Sequence, residues 1–353
     1  MKRFAGRLLD WFDRHGRHDL PWQHPREPYR VWLAEIMLQQ TQVATVVPYF
    51  ERFLARFPSV SELAQAKLDD VLHLWAGLGY YARARNLHRC AQAIVAQHGG
   101  EFPRTLEEMQ ALPGIGRSTA AAILAQAFGQ RHAILDGNVR RVLARHGAVE
   151  GWTAQPAVQR ALWALAEKHL PEARLADYTQ AIMDLGATVC LARKPLCTQC
   201  PLGADCVALQ QDRVAELPSP RPRRARARRT TLMLLLENAR GEILLERRPP
   251  AGVWGGLWCL PMADAGADWR GVCRTRFGCD AAQATQLPEF RHVFTHFDLD
   301  ILPLRVRVGS AAAADAATCW TTIGAPPAVG VPAPVRRLLQ SLQELPCPEP
   351  STA

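Results

Sequence analysis

The chain has 353 residues, enough for two or three domains, and a composition of 48% hydrophobic and 21% charged residues excludes a disordered or fibrous protein. Lysine and arginine (42) outnumber aspartate and glutamate (33), and the net charge of +9 favours a polyanionic partner, although a merely basic surface is the alternative. No stretch approaches the ~20 apolar residues of a membrane span, and Asp10 and Asp13 come too early for a signal peptide. We therefore expect a cytoplasmic protein whose ten cysteines stay reduced.

The first 216 residues have the apolar spacing of helices joined by short turns. A capping box at residues 105–108, TLEE, marks the start of one of these helices. The region is therefore predicted to be an all-helical domain, residues 1–216. The predicted helices cover Arg3–Asp13, Tyr29–Gln40, Thr41–Arg56, Leu68–Leu74, Ala82–His98, Leu106–Leu112, Ser118–Phe128 and Pro156–His169.

Residues 217–229 are predicted to be a linker, because they combine prolines with six arginines between 221 and 229. This segment is either a solvated spacer or a basic strap along phosphates. The pattern then changes to strands at Thr231–Leu236 and Glu242–Arg247, joined by a turn, with further strands in Phe290–Val308 and a helix at Val335–Leu345. We expect a small α+β domain at residues 230–346 and a tail at 347–353.

Four cysteines lie close together in the chain with the spacing C-x6-C-x2-C-x5-C. Four thiolates complete either a tetrahedral zinc site or an iron–sulfur cluster. Structural zinc usually has two CxxC-like pairs, whereas this segment has one. The four residues are Cys190, Cys197, Cys200 and Cys206; Cys90, Cys259, Cys273, Cys279, Cys319 and Cys347 are scattered and are expected to be core or surface residues.

A glycine-containing turn separates two predicted helices in the string LPGIGRSTA, residues 112–120. The proline ends the first helix, and Gly114 and Gly116 allow a tight turn whose exposed amides, with the start of the next helix, form an anion site. A structural turn is the usual role of one GxG pair. The whole string indicates a helix–hairpin–helix motif, which binds a DNA backbone without reading its sequence.

Together with ILDGN at 134–138, VWLAEIMLQQTQ at 31–42 and GLGYYARARN at 77–86, these features resemble the MutY-type adenine DNA glycosylases. The resemblance is close through residues 8–210 and looser in 230–345. It implies a helix–hairpin–helix glycosylase domain with one 4Fe-4S cluster on the four cysteines, followed by a Nudix-like α+β domain. It also implies base excision repair of duplex DNA, in which adenine mispaired with 8-oxoguanine or guanine is flipped out and removed.

Two carboxylates carry the chemistry that the resemblance implies. Glu35 lies on a helix between Trp32 and Leu38; exposed, with a pKa near 4.3, it would be protonated in roughly one molecule in 500 at pH 7. Apolar burial raises that pKa, so that Glu35 protonates adenine at N7 and later assists the incoming water. Asp136 stays ionised and stabilises or traps the positively charged sugar, and it can also be an N-cap.

The resemblance extends to residues that bind the DNA and the flipped base. Gln40 and Tyr80 resemble residues that fill or wedge the base stack. Lyase-type relatives such as endonuclease III have a nucleophilic lysine where this chain has Ser118, so hydrolysis is expected to stop at the abasic site. The remaining candidates for DNA or base contact are Trp22, Gln39, Gly114, Gly116, Asn138 and Gln180, and Arg193 and Lys194 are placed to meet phosphate.

The C-terminal region resembles a Nudix domain around the string WGGLW, residues 254–258. Nudix hydrolysis needs closely spaced glutamates for magnesium, and the chain has none between Glu246 and Glu289, so we expect a binding module. By resemblance, Phe294, Thr295 and His296 recognise 8-oxoguanine opposite the adenine; an ordinary alternating strand is the alternative.

Three other functions are compatible with parts of the sequence. A bifunctional pyrimidine-damage glycosylase/lyase is disfavoured by Ser118 and by the C-terminal domain. A non-catalytic DNA-binding iron–sulfur protein is disfavoured by the two carboxylates, and a Nudix hydrolase by the missing glutamates. The expected partner is double-stranded DNA with A·8-oxoguanine or A·G mispairs. We expect the protein to be a monomer that is associated with the nucleoid and not with a membrane.

Overall fold

The computed structural model describes residues 4–222, 226–309, 317–323 and 329–343, leaving aside the side chain of Ala282. These residues fall into two compact units, bounded as Met1–Gln65 with Arg85–Arg223 and as Ala66–Ala84 with Arg224–Ala353. The first unit is helical. The second combines a β-sheet with a short piece of the helical sequence, residues 66–84, and each unit has a core of its own.

The helices occur where the apolar spacing predicts them, and their ends differ from the prediction by at most two residues. The short helices α4 and α12 and the longer helices α9 and α11 lie outside the predicted set, although the sequence does offer Asp136 as an N-cap. The helices are α1 Phe4–His15, α2 Pro28–Leu38, α3 Val43–Arg56, α4 Val60–Gln65, α5 Leu68–Leu74, α6 Ala82–His98, α7 Leu106–Ala111, α8 Arg117–Phe128, α9 Gly137–His146, α10 Pro156–His169 and α11 Leu175–Asp184.

Side-chain caps fix the starts of α7 and α9. The hydroxyl of Thr105 accepts a hydrogen bond from the backbone N–H of Glu108 at 3.3 Å, which confirms the predicted capping box of α7. Asp136 caps α9 in the same way by accepting from the N–H of Val139 at 2.8 Å. The second cap fixes the position of a predicted catalytic carboxylate.

The chain after α11 winds tightly through the segment that holds the four clustered cysteines. A π-helical turn, Leu185–Val189, leads into Cys190, and two 3-10 turns follow at Cys197–Gln199 and Gly203–Asp205. The last short helix of the unit, α12 Val207–Gln210, begins directly after Cys206.

The described residues of the second unit form one eight-stranded mixed sheet. The central pair, β1 and β7, is parallel over eleven residues of β1, and the other pairs are antiparallel. The path is β3-β2-β1-β7-β5, with β4 on β1, β6 on β7 and β8 on β2. The elements are β1 Ala227–Glu237, β2 Glu242–Arg247, β3 Trp258–Cys259, β4 Met262–Asp264, α13 Trp269–Phe277, β5 Ala281–Gln286, β6 Phe290–Val293, β7 Phe297–Val308, β8 Thr318–Thr322 and α14 Ala333–Gln343.

Both ends of the predicted linker, 217–229, are more ordered than its composition suggests. Leu217 is buried and its carbonyl accepts a hydrogen bond from Arg145, while Ser219 forms a β-bridge with Trp152. At the other end β1 already begins at Ala227. Residues of this polar, proline-rich segment therefore form backbone hydrogen bonds and β-bridges where other parts of the chain provide partners. The last two residues of the predicted C-terminal helix, the tail and Cys347 lie outside the described residues.

None of the helices in the described part of the chain is both long and apolar enough to cross a membrane.

Candidate active site

A pocket of about 940 Å³ opens in the helical unit, at the upper end of the range for small-molecule sites. It collects side chains from five separate parts of the sequence: the segment before α2, the stretch from the end of α2 to the start of α3, the start of α8, residues 135–141 and residues 180–191. Eight of the predicted residues line it, namely Trp22, Glu35, Gln39, Gln40, Ser118, Asp136, Asn138 and Gln180.

Glu35 lies among the buried apolar residues of α2 and turns its carboxyl into this pocket. Its Oε1 accepts a hydrogen bond from Nε2 of the buried Gln126 at 2.9 Å. Burial and the nearby charge of Asp136 raise the pKa of Glu35 to about 7, against the opposing effect of the Gln126 hydrogen bond. A carboxyl in this state can both donate and accept a proton near neutral pH.

Asp136 is the second carboxylate of the pocket, and its surroundings favour charge more than those of Glu35 do. Burial raises its pKa, but the N–H groups of Val139 and Asn138 and the side chains of Arg141 and Arg140 oppose that rise. The pocket thus contains two carboxyls in contrasting environments, which is the arrangement that separates an acid from an anion.

The sequence reading missed three side chains around these carboxyls. Gln126 could have been noticed as a buried amide inside the apolar run of α8. Arg140 and Arg141 line the pocket beside Asp136, and Arg141 donates to Oδ1 of Asn138 at 2.9 Å. The sequence did not indicate that these two arginines lie near the pocket, except that they follow the predicted N-cap Asp136.

Ser118 and Gln180 have hydrogen-bond partners of their own. The hydroxyl of Ser118 accepts from the backbone N–H of Leu135 at 2.9 Å, which ties the start of α8 to the segment before Asp136. Gln180 is buried and donates to Oδ1 of Asp184 at 2.7 Å, and the same carboxylate binds the guanidinium of Arg17. Both residues therefore shape the pocket wall.

The predicted hairpin lies between α7 and α8, separate from the pocket-lining residues except at Ser118 and Thr119. Gly114 has a φ of +80°, and a Cβ there would lie 2.7 Å from Cβ of Asn86. Gly116 is the N-cap of α8. The turn therefore requires glycine at 114 and presents the first amides of α8 without a side chain at 116.

Gln40 and Tyr80, the two predicted stacking residues, share an uncommon backbone conformation. Their φ values are +60° and +50°, in the left-handed region that bulky residues rarely adopt. Gln40 lies at the mouth of the pocket, whereas Tyr80 belongs to the second unit and its ring is among the exposed large hydrophobic side chains. Such strain is typical of functional positions.

The four clustered cysteines line one cavity of about 30 Å³ in the helical unit. Within the described residues no three His, Cys, Asp or Glu side chains are grouped closely enough to hold a single metal ion. Four thiols that line one cavity are the donor set that an iron–sulfur cluster requires. Arg193 and Lys194 are exposed beside this segment.

The buried Arg145 holds the cysteine segment together. Its Nη1 donates to the Sγ of Cys190 at 3.4 Å and to the carbonyl of Leu191 at 2.6 Å, and its own carbonyl accepts from Cys206 at 3.5 Å. One arginine thus connects the first and last cysteines of the motif.

In the second unit, Phe294, Thr295 and His296 form the turn between β6 and β7, so they are not part of an alternating strand. The N–H of Phe294 donates to the carbonyl of Phe297 at 2.9 Å and closes the turn. Thr295 and His296 are exposed, while Phe294 stacks on Phe297 at 4.6 Å and packs near His292 and Trp254.

Comparison with protein families gives two matches along the chain. Residues 33–168 match the HhH-GPD superfamily base excision DNA repair proteins, and residues 232–341 match the NUDIX domain. The first match spans Glu35, the hairpin and Asp136, and the second spans the turn after β6. The chain is therefore a helix–hairpin–helix domain followed by a Nudix-like α+β domain, as the sequence predicts.

Similar proteins have been named in several organisms. An adenine DNA glycosylase of Buchnera aphidicola (subsp. Acyrthosiphon pisum, strain APS) is 33% identical over 347 residues, covering 97% of this chain and 98% of the relative. An adenine DNA glycosylase of Homo sapiens is 46% identical over 217 residues, 59% of this chain and 40% of the human protein. Among solved structures, a thermostable thymine-DNA glycosylase has a TM-score of 0.54 and 28% identity over 59% of this chain and 95% of its own.

Proposed function

This chain belongs to the adenine DNA glycosylase family, and we propose that it excises adenine opposite 8-oxoguanine or guanine in duplex DNA by hydrolysis alone. The observation that supports the chemistry best is the pair of carboxyls in one pocket, with the pKa of Glu35 raised to about 7 and Asp136 surrounded by N–H groups and arginines.

Glu35 serves as the proton donor in this proposal. A carboxyl with a pKa of about 7 is protonated in about half of the molecules at neutral pH, whereas an exposed one almost never is. The proton goes to N7 of the flipped adenine, so that the base leaves as a neutral purine. The resulting carboxylate then accepts a proton from the attacking water.

Asp136 supplies the negative charge that the sugar needs as the glycosidic bond breaks. Its helix-capping hydrogen bond to Val139 fixes one carboxylate oxygen, and Arg140 and Arg141 favour its ionised form. Because an N-cap is rigid, this charge is in place before the substrate arrives, which is the condition for electrostatic stabilisation.

Ser118 supports a reaction that ends at the abasic site. Its hydroxyl lines the pocket but accepts a hydrogen bond from Leu135, and it provides no amine to form a Schiff base. The hairpin around Gly114 and Gly116 and the stacking residues Gln40 and Tyr80 would hold the opened duplex.

Preference for the mispair is assigned to the turn that holds Phe294, Thr295 and His296. 8-Oxoguanine differs from guanine by an added oxygen and by an N7 that has become a donor. The exposed hydroxyl of Thr295 and imidazole of His296 are free to read that altered hydrogen-bond pattern from a turn held by the packing of Phe294.

We also propose that Cys190, Cys197, Cys200 and Cys206 hold one 4Fe-4S cluster. When bound, the cluster organises the loop that presents Arg193 and Lys194 to phosphate. Purified protein with about four irons per chain and no zinc is the expected result, and stoichiometric zinc would overturn the assignment. A monomer working on the nucleoid in the cytoplasm is the form that this function suggests.

The deciding experiment uses a duplex with one adenine opposite 8-oxoguanine, incubated with the enzyme and then treated with mild alkali. Nicking of the adenine strand that requires alkali supports the proposal, and the matched duplex with thymine opposite adenine should stay intact. Nicking without alkali, or efficient borohydride trapping of protein on DNA, would show that a lysine acts and that the reaction is not purely hydrolytic.

A further inference from the structure

Arg83 stabilises the loop that carries Tyr80 through hydrogen bonds and ring contacts. The guanidinium of this buried arginine donates to the carbonyls of Leu78 and Gly79 at 3.2 Å each and lies over the rings of Trp75 and Tyr80, at 5.3 and 5.4 Å from their centroids. Nε1 of Trp75 donates to the same carbonyl of Gly79 at 3.0 Å. The loop is therefore ordered while the Tyr80 ring remains 47% exposed.

The helix before this loop, α5, packs closely against the sheet domain at Gly330. A Cβ on Gly330 would lie 2.8 Å from Cβ of Leu72 and 2.9 Å from Cδ2 of Leu257, so the backbone at 330 touches both side chains. Beside this contact the hydroxyl of Tyr81 donates to the carbonyl of Val331 at 3.4 Å. Both the helix and the loop thus meet residues 329–331.

An ion pair joins the same two parts of the chain. Nη2 of Arg247, at the end of β2, lies 3.1 Å from Oδ1 of Asp69 in the first turn of α5. Both side chains are about one-third exposed, so the pair contributes little by itself, and the apolar contact at Gly330 is the larger part of the attachment. The ion pair adds a polar contact between α5 and the sheet domain.

We propose that the sheet domain positions the Tyr80 loop, so that Tyr80 contacts DNA as a part of the opposite-base recognition unit. This inference rests on the proposed function, and it names Leu72, Gly330, Asp69 and Arg247 as positioning residues. Their role differs from that of Phe294, Thr295 and His296, because none of the four touches the base. Tyr80 and the turn of Phe294, Thr295 and His296, called the reading turn below, then contact the mispair as parts of the same unit.

The first test measures the wedge directly. A duplex with 2-aminopurine next to 8-oxoguanine and a non-cleavable 2′-fluoroadenine opposite it should brighten on binding the wild type, and Tyr80→Ala should abolish the increase. Gly330→Ala should lose at least half of the increase at saturating protein. Gly266→Ala adds the same methyl group at an exposed turn of the same domain, where nothing lies within 4 Å, and should behave as the wild type.

A charge exchange tests the orientation without adding volume. Asp69→Asn should weaken binding to this duplex by up to about five-fold, Asp69→Arg should weaken it further, and Asp69→Arg with Arg247→Asp should restore both affinity and fluorescence. Arg240→Asp, at the exposed turn between β1 and β2, is the matched control.

Full fluorescence and wild-type affinity in both Gly330→Ala and Asp69→Arg would overturn the inference. So would a wild-type complex that does not brighten. Excision of adenine by the wild type is measured separately on the cleavable duplex. An enzyme that excises adenine while the Gly330 and Asp69 variants brighten normally would leave the proposed function intact and refute the positioning role alone.

Discussion

The excision pocket and the reading turn place their functional groups in opposite settings. Glu35 and Asp136 lie among buried helices, and each has a fixed hydrogen-bond donor, Gln126 or the N–H of Val139. Thr295 and His296 lie exposed on a turn, held by the aromatic packing of Phe294. Proton transfer needs the raised pKa that burial and the charge of Asp136 give Glu35, whereas recognition needs groups that a partner can still reach.

This contrast predicts which property of the enzyme a substitution in each region should change. Changes in the pocket should alter the rate of bond cleavage and its dependence on pH while the choice of opposite base persists. Changes in the turn should alter that choice while cleavage persists. The four predictions below separate the two regions.

The largest effect is expected from Glu35→Gln. The amide cannot donate a proton to adenine or accept one from water, so single-turnover excision should fall by well over the roughly 10²–10⁴-fold typical of one acid–base group. Affinity for the A·8-oxoguanine duplex should be retained, because the amide has nearly the same shape. Rapid-quench kinetics with saturating enzyme measure the rate, and near-normal cleavage would remove Glu35 from the mechanism.

The second prediction concerns pH. Since the pKa of Glu35 is raised to about 7, the protonated acid predominates below that pH and disappears above it. The single-turnover rate should therefore fall about ten-fold per pH unit on the alkaline side, and on the acid side it should fall as Asp136 becomes protonated. Binding measured across the same range is the control for DNA affinity. A rate that stays level from pH 7 to 9 would contradict the assigned acid.

A smaller effect is expected in the reading turn. Replacing Phe294, Thr295 and His296 together by alanine should lower the preference for adenine opposite 8-oxoguanine over adenine opposite guanine by at least about ten-fold, since each lost contact is worth about 1–3 kcal/mol of discrimination. The rate at saturation should persist, as Glu35 and Asp136 are unchanged. Competition binding and single-turnover excision measure the preference, and an unchanged ratio would place recognition elsewhere.

The smallest effect is expected from Gln126→Leu, which tests how the surroundings of Glu35 set its pKa. Gln126→Leu removes the hydrogen bond that lowers the pKa of Glu35, so the alkaline limb of the profile should move to higher pH. The ratio of the rate at pH 8.5 to that at pH 7 should rise by about 1.5- to five-fold, because one hydrogen bond changes the acid dissociation constant by about two- to ten-fold and about half of the Glu35 carboxyls are already protonated at pH 7. Gln92→Leu, on the exposed side of α6, is the control. A shift to lower pH would contradict the stated cause.

Much of the site was readable from the sequence because its signals are local. The hairpin needs Gly114 for its left-handed turn, and the residues that follow Asp136 predict its role as an N-cap. The spacing of the four cysteines indicates a four-thiol site. Gln126, Arg140 and Arg141 were missed, since an amide or arginine inside a helix gives no sign of which cavity it faces.

The sheet domain was less predictable for the same reason. The turn between β1 and β2 is local, but the longest pairing joins β1 to β7 in parallel across more than fifty residues, and α13, β5 and β8 had no clear pattern. Parallel pairing depends on partners far apart in the chain, so short-range alternation does not reveal it.

The sequence by itself determined the helical and α+β regions, the residue types of the two carboxyls and the four thiols, and the absence of a lysine at position 118. Only the tertiary structure decided that Glu35 is half-buried near Asp136 with Gln126 as a hydrogen-bond donor, that the thiols line one cavity, and that residues 66–84 pack with the sheet domain. Helix periodicity, caps and turns depend on neighbours within a few residues. A pKa, a cavity and an attachment depend on groups that only folding brings together.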